Sequence, residues 1–267
     1  MTLDRSGLWS ELLIGLTRAS PARAVSGNVE EGLAGEGDVD LVAPQADWMA
    51  VEEEFRRWAG GNHLDPVISC PHRPGVLLLV AVGKPGTPVY KLEVLGHRHF
   101  RGARMYSAED LVPAMEMDPR GWRRLRPGAT ALIKLVPNGV TWSGGLKWTG
   151  PKAARVLGLL EQDREGAHLA AKAFGSMGRL VESAARDARA GRWPRARMLA
   201  LEGRALVRGL LSPAHALSRL RYRSSPAARC ELPLTLRRRG LVLDDLAQVR
   251  RLAESHEGVS GRVLGWE

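Results

Sequence analysis

The chain has 267 residues, room for one main domain with a smaller accessory region. Hydrophobic residues make up 44% and charged residues 25%, a balance that excludes a disordered chain. A formal net charge of +10 favours anionic partners such as nucleotides, nucleic acid or lipid headgroups. Much of that charge is arginine in the C-terminal half, where a solvated helix surface explains it equally well.

The start, "MTLDRSGLWSELLIGLTRAS", lacks the basic head and continuous apolar core of a signal peptide. Leu8, Leu12, Leu13 and Leu16 instead recur at helical spacing, predicting an amphipathic helix that ends near Ala19 before Pro21. "ARAVSG" reads as a short strand, and "NVEEGLAG" as a short helix. "DVDLVA" alternates polar and apolar residues, the period of a strand with one wet face. In "ADWMAVEEEFRRWA", Trp48, Val51, Phe55 and Trp58 share one side, predicting a helix stopped by Gly60 and Gly61.

Val76 to Val82, "VLLLVAV", has the length of a buried strand and is far too short to cross a bilayer. Val89 to Leu95 is a second strand, and "GKPGT" between them has hairpin-turn composition. "PGATALIKLV" starts a helix with Pro127 in its first turn, and "NGVTWSGGLKWTG" reads as a linker. Three further stripes follow: Ala153, Val156, Leu157, Leu160; then Ala170, Ala173, Phe174, Met177, Val181, Ala184; then Leu199, Leu206, Leu210. These are expected to be the core faces of a small helical bundle. Between Arg219 and Arg239 seven arginines face a single acid, Glu231, the composition of a solvated connector. The expected organisation is an α+β domain over 1–147, a helical bundle over 148–218 and a basic, partly irregular tail over 219–267. Cys70 and Cys230 lie far apart, so no disulfide framework or cysteine zinc pair follows, which suits a reducing cytoplasm.

The chemistry points to "SGNVEEGLAGEGDVDLV". Residues two apart on a strand share a side, so Asp38 and Asp40 project together while Val39 packs inward. Two such acids repel unless a cation lies between them. Mg²⁺ suits the pair, because it is held by one or two carboxylates together with water and substrate phosphate. Gly27 and Asn28 precede a helix start, where free backbone N–H groups face a phosphate. Glu93, in "VYKLEVLG", is a third acid if its strand lies beside the first.

These residues resemble the nucleotidyltransferase superfamily, whose fold is shared with DNA polymerase β. The family signature is Gly-Ser on a short helix, a later glycine, Asp-x-Asp on a strand and a third carboxylate on a later strand. The resemblance places Gly27 and Asn28 at the Gly-Ser position and Gly32 at the later glycine, gripping nucleotide phosphate. It makes Asp38, Asp40 and Glu93 the catalytic metal ligands. It implies two Mg²⁺ ions, with Mn²⁺ as a substitute, and a mixed sheet flanked by helices. The activity implied is transfer of a nucleoside monophosphate from an NTP to an unidentified acceptor hydroxyl or phosphate. "FRGARMYSAEDLV" and "LRPGATALIKLVPNGVTWSGGLK" are similar to a bacterial subgroup of nucleotidyltransferase-like proteins, so the likeness runs from Leu8 to about Lys147. Asn28 stands where the family prefers serine, and Glu93 is one methylene longer than the usual aspartate. No G-x-x-x-x-G-K-[ST] loop follows, so no kinase domain is expected.

The remaining signals read more simply. Lys91 shares the wet face of its strand with Glu93, a position that suits contact with phosphate, neutralisation of the acid or a plain surface lysine, the last two being the simpler readings. Lys134, within "ALIKLV", is expected to snorkel outward. His63, Cys70, His72, His97 and His99 fit no common zinc spacing, and His97 and His99 are expected in a loop. The eight tryptophans are spread as packing anchors. The competing reading is a catalytically inactive module on the same scaffold, binding a nucleotide or a partner without turnover. Nucleic-acid binding ranks third, lacking aromatic interleaving or a known motif.

Overall fold

The computed structural model describes residues 5–27, 29–34, 38–65, 67–73, 75–82, 89–100, 103–136, 150–192, 195–212, 217 and 262–264. Asn28, the turn at 83–87, the linker up to residue 149 and nearly all of the basic tail lie outside the described residues. The chain is mixed α/β and forms two compact units. One comprises 1–96, 119–122 and 218–267, the other 97–118 and 123–217.

The first unit opens with α1 (Arg5–Arg18), β1 (Ala24–Ser26), α2 (Val29–Ala34) and β2 (Val39–Val42). It continues with α3 (Trp48–Gly61), β3 (Val67–Arg73), β4 (Val76–Ala81) and β5 (Tyr90–Leu95). The second unit holds β6 (His97–Phe100), β7 (Ala103–Ser107), β8 (Met115–Met117) and β9 (Arg123–Leu125). Its helices are α4 (Pro127–Lys134), α5 (Gly150–Gln162), α6 (Arg164–Lys172), α7 (Gly178–Arg189) and α8 (Arg195–Leu210). A last strand, β10 (Arg262–Leu264), belongs to the first unit.

Within the first unit the described strands run in the order β10-β3-β4-β5-β2-β1. β2 and β5 are parallel and their other neighbours antiparallel, so the sheet is mixed. One face carries Val25, Val39, Leu41, Leu77, Leu79, Leu92 and Val94, all buried with Leu12, Leu13 and Leu16 of α1 and with Val51 and Phe55 of α3. The periodicity of both helices thus marks a true core face. Trp9 stacks on Trp58 and both rings pack against Tyr90, with ring centroids 5.3–5.9 Å apart, and the Trp58 indole N–H donates to the Leu8 carbonyl at 3.1 Å. α3 runs through Gly60 and Gly61 and stops at Asn62, with His63 taking a left-handed φ of 56°. Buried Arg23 donates to Asp47 at 2.8 Å, tying the approach to β1 to the start of α3.

In the second unit the helices are organised around Asp163. Its Oδ1 accepts from the Gly166 N–H at 2.9 Å, capping α6. Its Oδ2 accepts from the Gly128 N–H at 3.1 Å, at the start of α4. The Arg126 guanidinium closes on the same carboxylate at 2.8 and 3.3 Å. One carboxylate therefore satisfies orphan N–H groups of two helices and sits at both positive dipole ends. Burial works to raise the Asp163 carboxyl, and the Arg126 hydrogen bond with the N–H groups of Gly166 and Gly128 outweighs it. The carboxyl is held below its ordinary value. The two glycines are sterically required. A Cβ on Gly128 would lie 1.8 Å from the Asp163 carbonyl oxygen, and one on Gly166 2.1 Å from its Oδ2. α7 and α8 are joined by the ion pair of buried Asp187 with Arg197.

Three expectations need correction here. The stripe from Ala170 to Ala184 is buried at Ala170, Phe174, Met177, Val181 and Ala184, yet it does not lie on one helix. α6 ends at Lys172, Gly175 takes a φ of +57° and α7 begins at Gly178, so the stripe turns a corner. Leu199, Leu206 and Leu210 are exposed; α8 buries Leu201, Glu202 and Ala205 instead. The leucines were spaced correctly for a helix and lie on the side away from its packing. His97 and His99 lie in β6, not a loop, with rings edge to face at 4.6 Å. Burial lowers the His97 pKa, Arg104 adds to the effect, and Glu109 opposes it.

Candidate functional site

The face of the first unit's sheet opposite α1 and α3 answers the question raised by Asp38 and Asp40. In β2 the side chains of Val39 and Leu41 are buried and Asp40 is half-buried between them. In β5 Tyr90, Leu92 and Val94 are buried while Lys91 and Glu93 are half-buried. Alternation alone sends the polar residues of both strands to one side.

The register then decides which charges meet. Val39 pairs with Leu92 and Asp40 with Glu93, so the two acids sit side by side on parallel neighbours. Strands lie about 4.8 Å apart, which brings these carboxylates within reach of a single ion. Two residues back, just before β2 begins, Asp38 faces Lys91, with Nζ 3.6 Å from Oδ1. Their side chains are 41% and 35% exposed, so the pair is solvated at the rim of the face. The four charged residues form two rows, Asp38 with Lys91 and Asp40 with Glu93. Lys91 offsets the charge of Asp38.

The neighbouring strands frame these rows. Ser26 of β1 is the register partner of Asp40, and Leu78 and Val80 of β4 are the partners of Glu93 and Lys91. Ser26 is buried and lies beside the acids; it escaped the sequence reading because only the β1–β2 register reveals it. Lys91, by contrast, carried a signal in the alternation of "VYKLEVLG".

The glycines divide by role. Gly27 has a φ of 87°, a conformation natural to glycine, and turns the chain from β1 toward α2. Gly32 lies where α2 meets β2; a Cβ there would come 2.6 Å from Val39 Cγ2 and 3.2 Å from the Asp38 carbonyl oxygen. It is a packing glycine that lets the helix approach the acid-bearing strand. Glu30 of α2 is held by Arg120 at 2.9 Å, and Arg120 lies 4.3 Å over the Trp122 ring. Asn28 lies outside the described residues. Lys134 is half-buried at the end of α4 in the other unit.

The donor chemistry can be tested against a divalent ion. Asp40 and Glu93 match the habit of Mg²⁺, which takes one or two carboxylates and completes its shell with water and phosphate. A full three-acid group does not assemble: among the described residues no set of three His, Cys, Asp or Glu side chains gathers closely enough to hold a metal. Asp38 faces an ammonium instead. Among the described residues no helix is long and apolar enough to cross a membrane.

The chain matches no family model, no curated protein and no solved structure.

Proposed function

We propose that the chain is a metal-dependent nucleotidyltransferase with a DNA polymerase β-like catalytic unit and a C-terminal helical bundle. It would act in the cytoplasm on an NTP and an acceptor hydroxyl or phosphate, and nucleic acid is not its expected partner. The observation that carries this reading is the in-register pairing of Asp40 with Glu93 on parallel strands, beside Asp38. When bound, Mg²⁺ or Mn²⁺ would be held by Asp40 and Glu93, with Asp38 nearby, and would offset the charge of the triphosphate. Glu93, half-buried beside Leu78, is the group to take the proton from the acceptor hydroxyl. The acceptor oxygen then bonds to the α-phosphorus and pyrophosphate leaves. Gly27, at the turn into α2, and Asn28 after it in the sequence would offer backbone N–H groups to the terminal phosphates, and Gly32 keeps α2 close to the acids. The test is transfer of label from α-labelled NTPs, with pyrophosphate release. Asp40→Asn is expected to lower the rate about a thousand-fold, equivalent to losing about 4 kcal/mol of transition-state stabilisation. Full turnover in that variant overturns the assignment.

A second reading has its own support. The Asp38–Lys91 ion pair and the absence of a three-acid group among the described residues favour a scaffold that binds nucleotide without turnover. Nucleotide binding without pyrophosphate release, under conditions saturating in metal, selects this alternative.

A further inference from the structure

The outward side of α8, in the second unit, carries an inference independent of the acids on β2 and β5. The packed side of α8, against α7 and β7, buries Leu201, Glu202 and Ala205. The other side is apolar as well. Leu199, Leu206, Val207, Leu210 and, just past the helix end, Leu211 are 47–79% exposed. Leu199, Gly203, Leu206 and Leu210 recur at intervals of four, three and four, so they form one stripe. A Cβ on Gly203 would meet nothing within 4 Å, so the middle of the stripe is open. Apart from Met49, Val112 and Met117, the exposed large apolar side chains among the described residues all fall between Leu199 and Leu217.

A helix that is apolar on both sides is normally covered on both, and a contiguous apolar patch marks a contact surface. We infer that the outward side of α8 docks on an anionic lipid surface. The leucines enter the headgroup boundary and the arginines beside them meet lipid phosphates.

Charge selects this occupant. Arg204 and Arg208, one turn apart, are exposed along one border of the stripe. The single acid of α8, Glu202, is buried on the packed side. In sequence α8 leads into the stretch with seven arginines and one acid between 219 and 239, and the whole chain carries a net charge of +10. Basic residues beside a leucine-rich face are the composition of a helix that lies in a membrane interface. A second copy of the chain would set this basic border against itself. A protein partner would need a groove shaped to the convex side of one helix, which a fluid headgroup layer does not.

The experiment sediments the full chain with vesicles of equal parts phosphatidylcholine and phosphatidylglycerol, and with vesicles of phosphatidylcholine alone. The proteins are the unaltered chain, Arg204→Gln, and a double variant with Leu206→Gln and Leu210→Gln, which keeps every charge. Thermal melts check that each is folded, which the exposure of all three positions favours. The inference predicts binding to the anionic vesicles that weakens as salt rises, and little binding to phosphatidylcholine alone. The double variant should lose about thirty-fold in affinity for the anionic vesicles, and Arg204→Gln about five-fold. No binding to anionic vesicles at low salt overturns the inference, as does equal binding to both kinds of vesicle. Undiminished binding by the double variant overturns it too, because basic charge elsewhere then carries the attachment. If vesicles are ignored while sedimentation shows a dimer that the double variant loses, the occupant is a second copy. If they are ignored while an acidic amphipathic model helix binds through the same leucines, the occupant is a protein. Either result contradicts the lipid assignment.

Discussion

Two carboxylate clusters, one in each unit, show what acids are for in this chain. Asp163 is 10% exposed and is surrounded by donors: two helix N–H groups and a guanidinium. Asp38, Asp40 and Glu93 are more open and lie beside one another, and Lys91 faces Asp38. The first arrangement lowers the free energy of the fold. The second gathers like charge on one face of a sheet, which helps folding little and suits binding a cation or phosphate. Removing an acid from each cluster should therefore have opposite signatures.

The largest effect is expected at the support of Asp163. Gly128→Ala puts a methyl 1.8 Å from the Asp163 carbonyl oxygen, so α4 and α6 must separate. A loss of roughly 4 kcal/mol or more is expected, read as failure of the second unit to unfold cooperatively in denaturant. A near-normal melt would break the comparison on its structural side.

Asp163→Asn comes next. It removes the charge that Arg126 and both helix ends require, at a cost of about 2–3 kcal/mol from two caps and one ion pair. The pH dependence sharpens this. The folded Asp163 carboxyl lies below its unfolded value of about 4, so its contribution is fully present above that pH. It is lost as pH falls through the folded value. Melts from pH 6 to pH 2 should show the gap between the unaltered chain and Asp163→Asn closing at about pH 4 and below. A gap that widens on acidification contradicts the assignment.

The smallest effect is Asp38→Asn. The Asp38–Lys91 pair is solvated, so its loss should change stability by no more than about 0.5 kcal/mol in chelating buffer. A loss comparable with that of Asp163→Asn would place both clusters in the same structural role.

Much of the first unit was legible because its pattern is local. The alternation of "DVDLVA" and "VYKLEVLG" marks β2 and β5 and their wet faces, and the stripes of α1 and α3 mark the helices that cover the other side. The pairing of Asp40 with Glu93 was only conditional, since register between strands 50 residues apart depends on the whole sheet. β3 was not legible: "VISCPHR" contains a proline and bulges between Pro71 and Arg73, so it lacks alternation. β8 and β9 span three residues each, too few to show a period. Asp163 stood in "EQDREG" like any surface acid; its importance comes from Gly128, 35 residues away. The leucines of α8 show the limit of periodicity, which finds a stripe without saying which stripe is covered.

The most direct test of the central claim is a thermal shift comparing the unaltered chain with Asp40→Asn, in chelator and then with Mg²⁺ and mixed NTPs. In chelator the two should melt within about 1 kcal/mol of each other. With Mg²⁺ and NTP at about a hundred times the dissociation constant, the unaltered chain should gain roughly 2.7 kcal/mol and Asp40→Asn should gain almost nothing. Equal gains in both proteins, or none in either, would contradict the account.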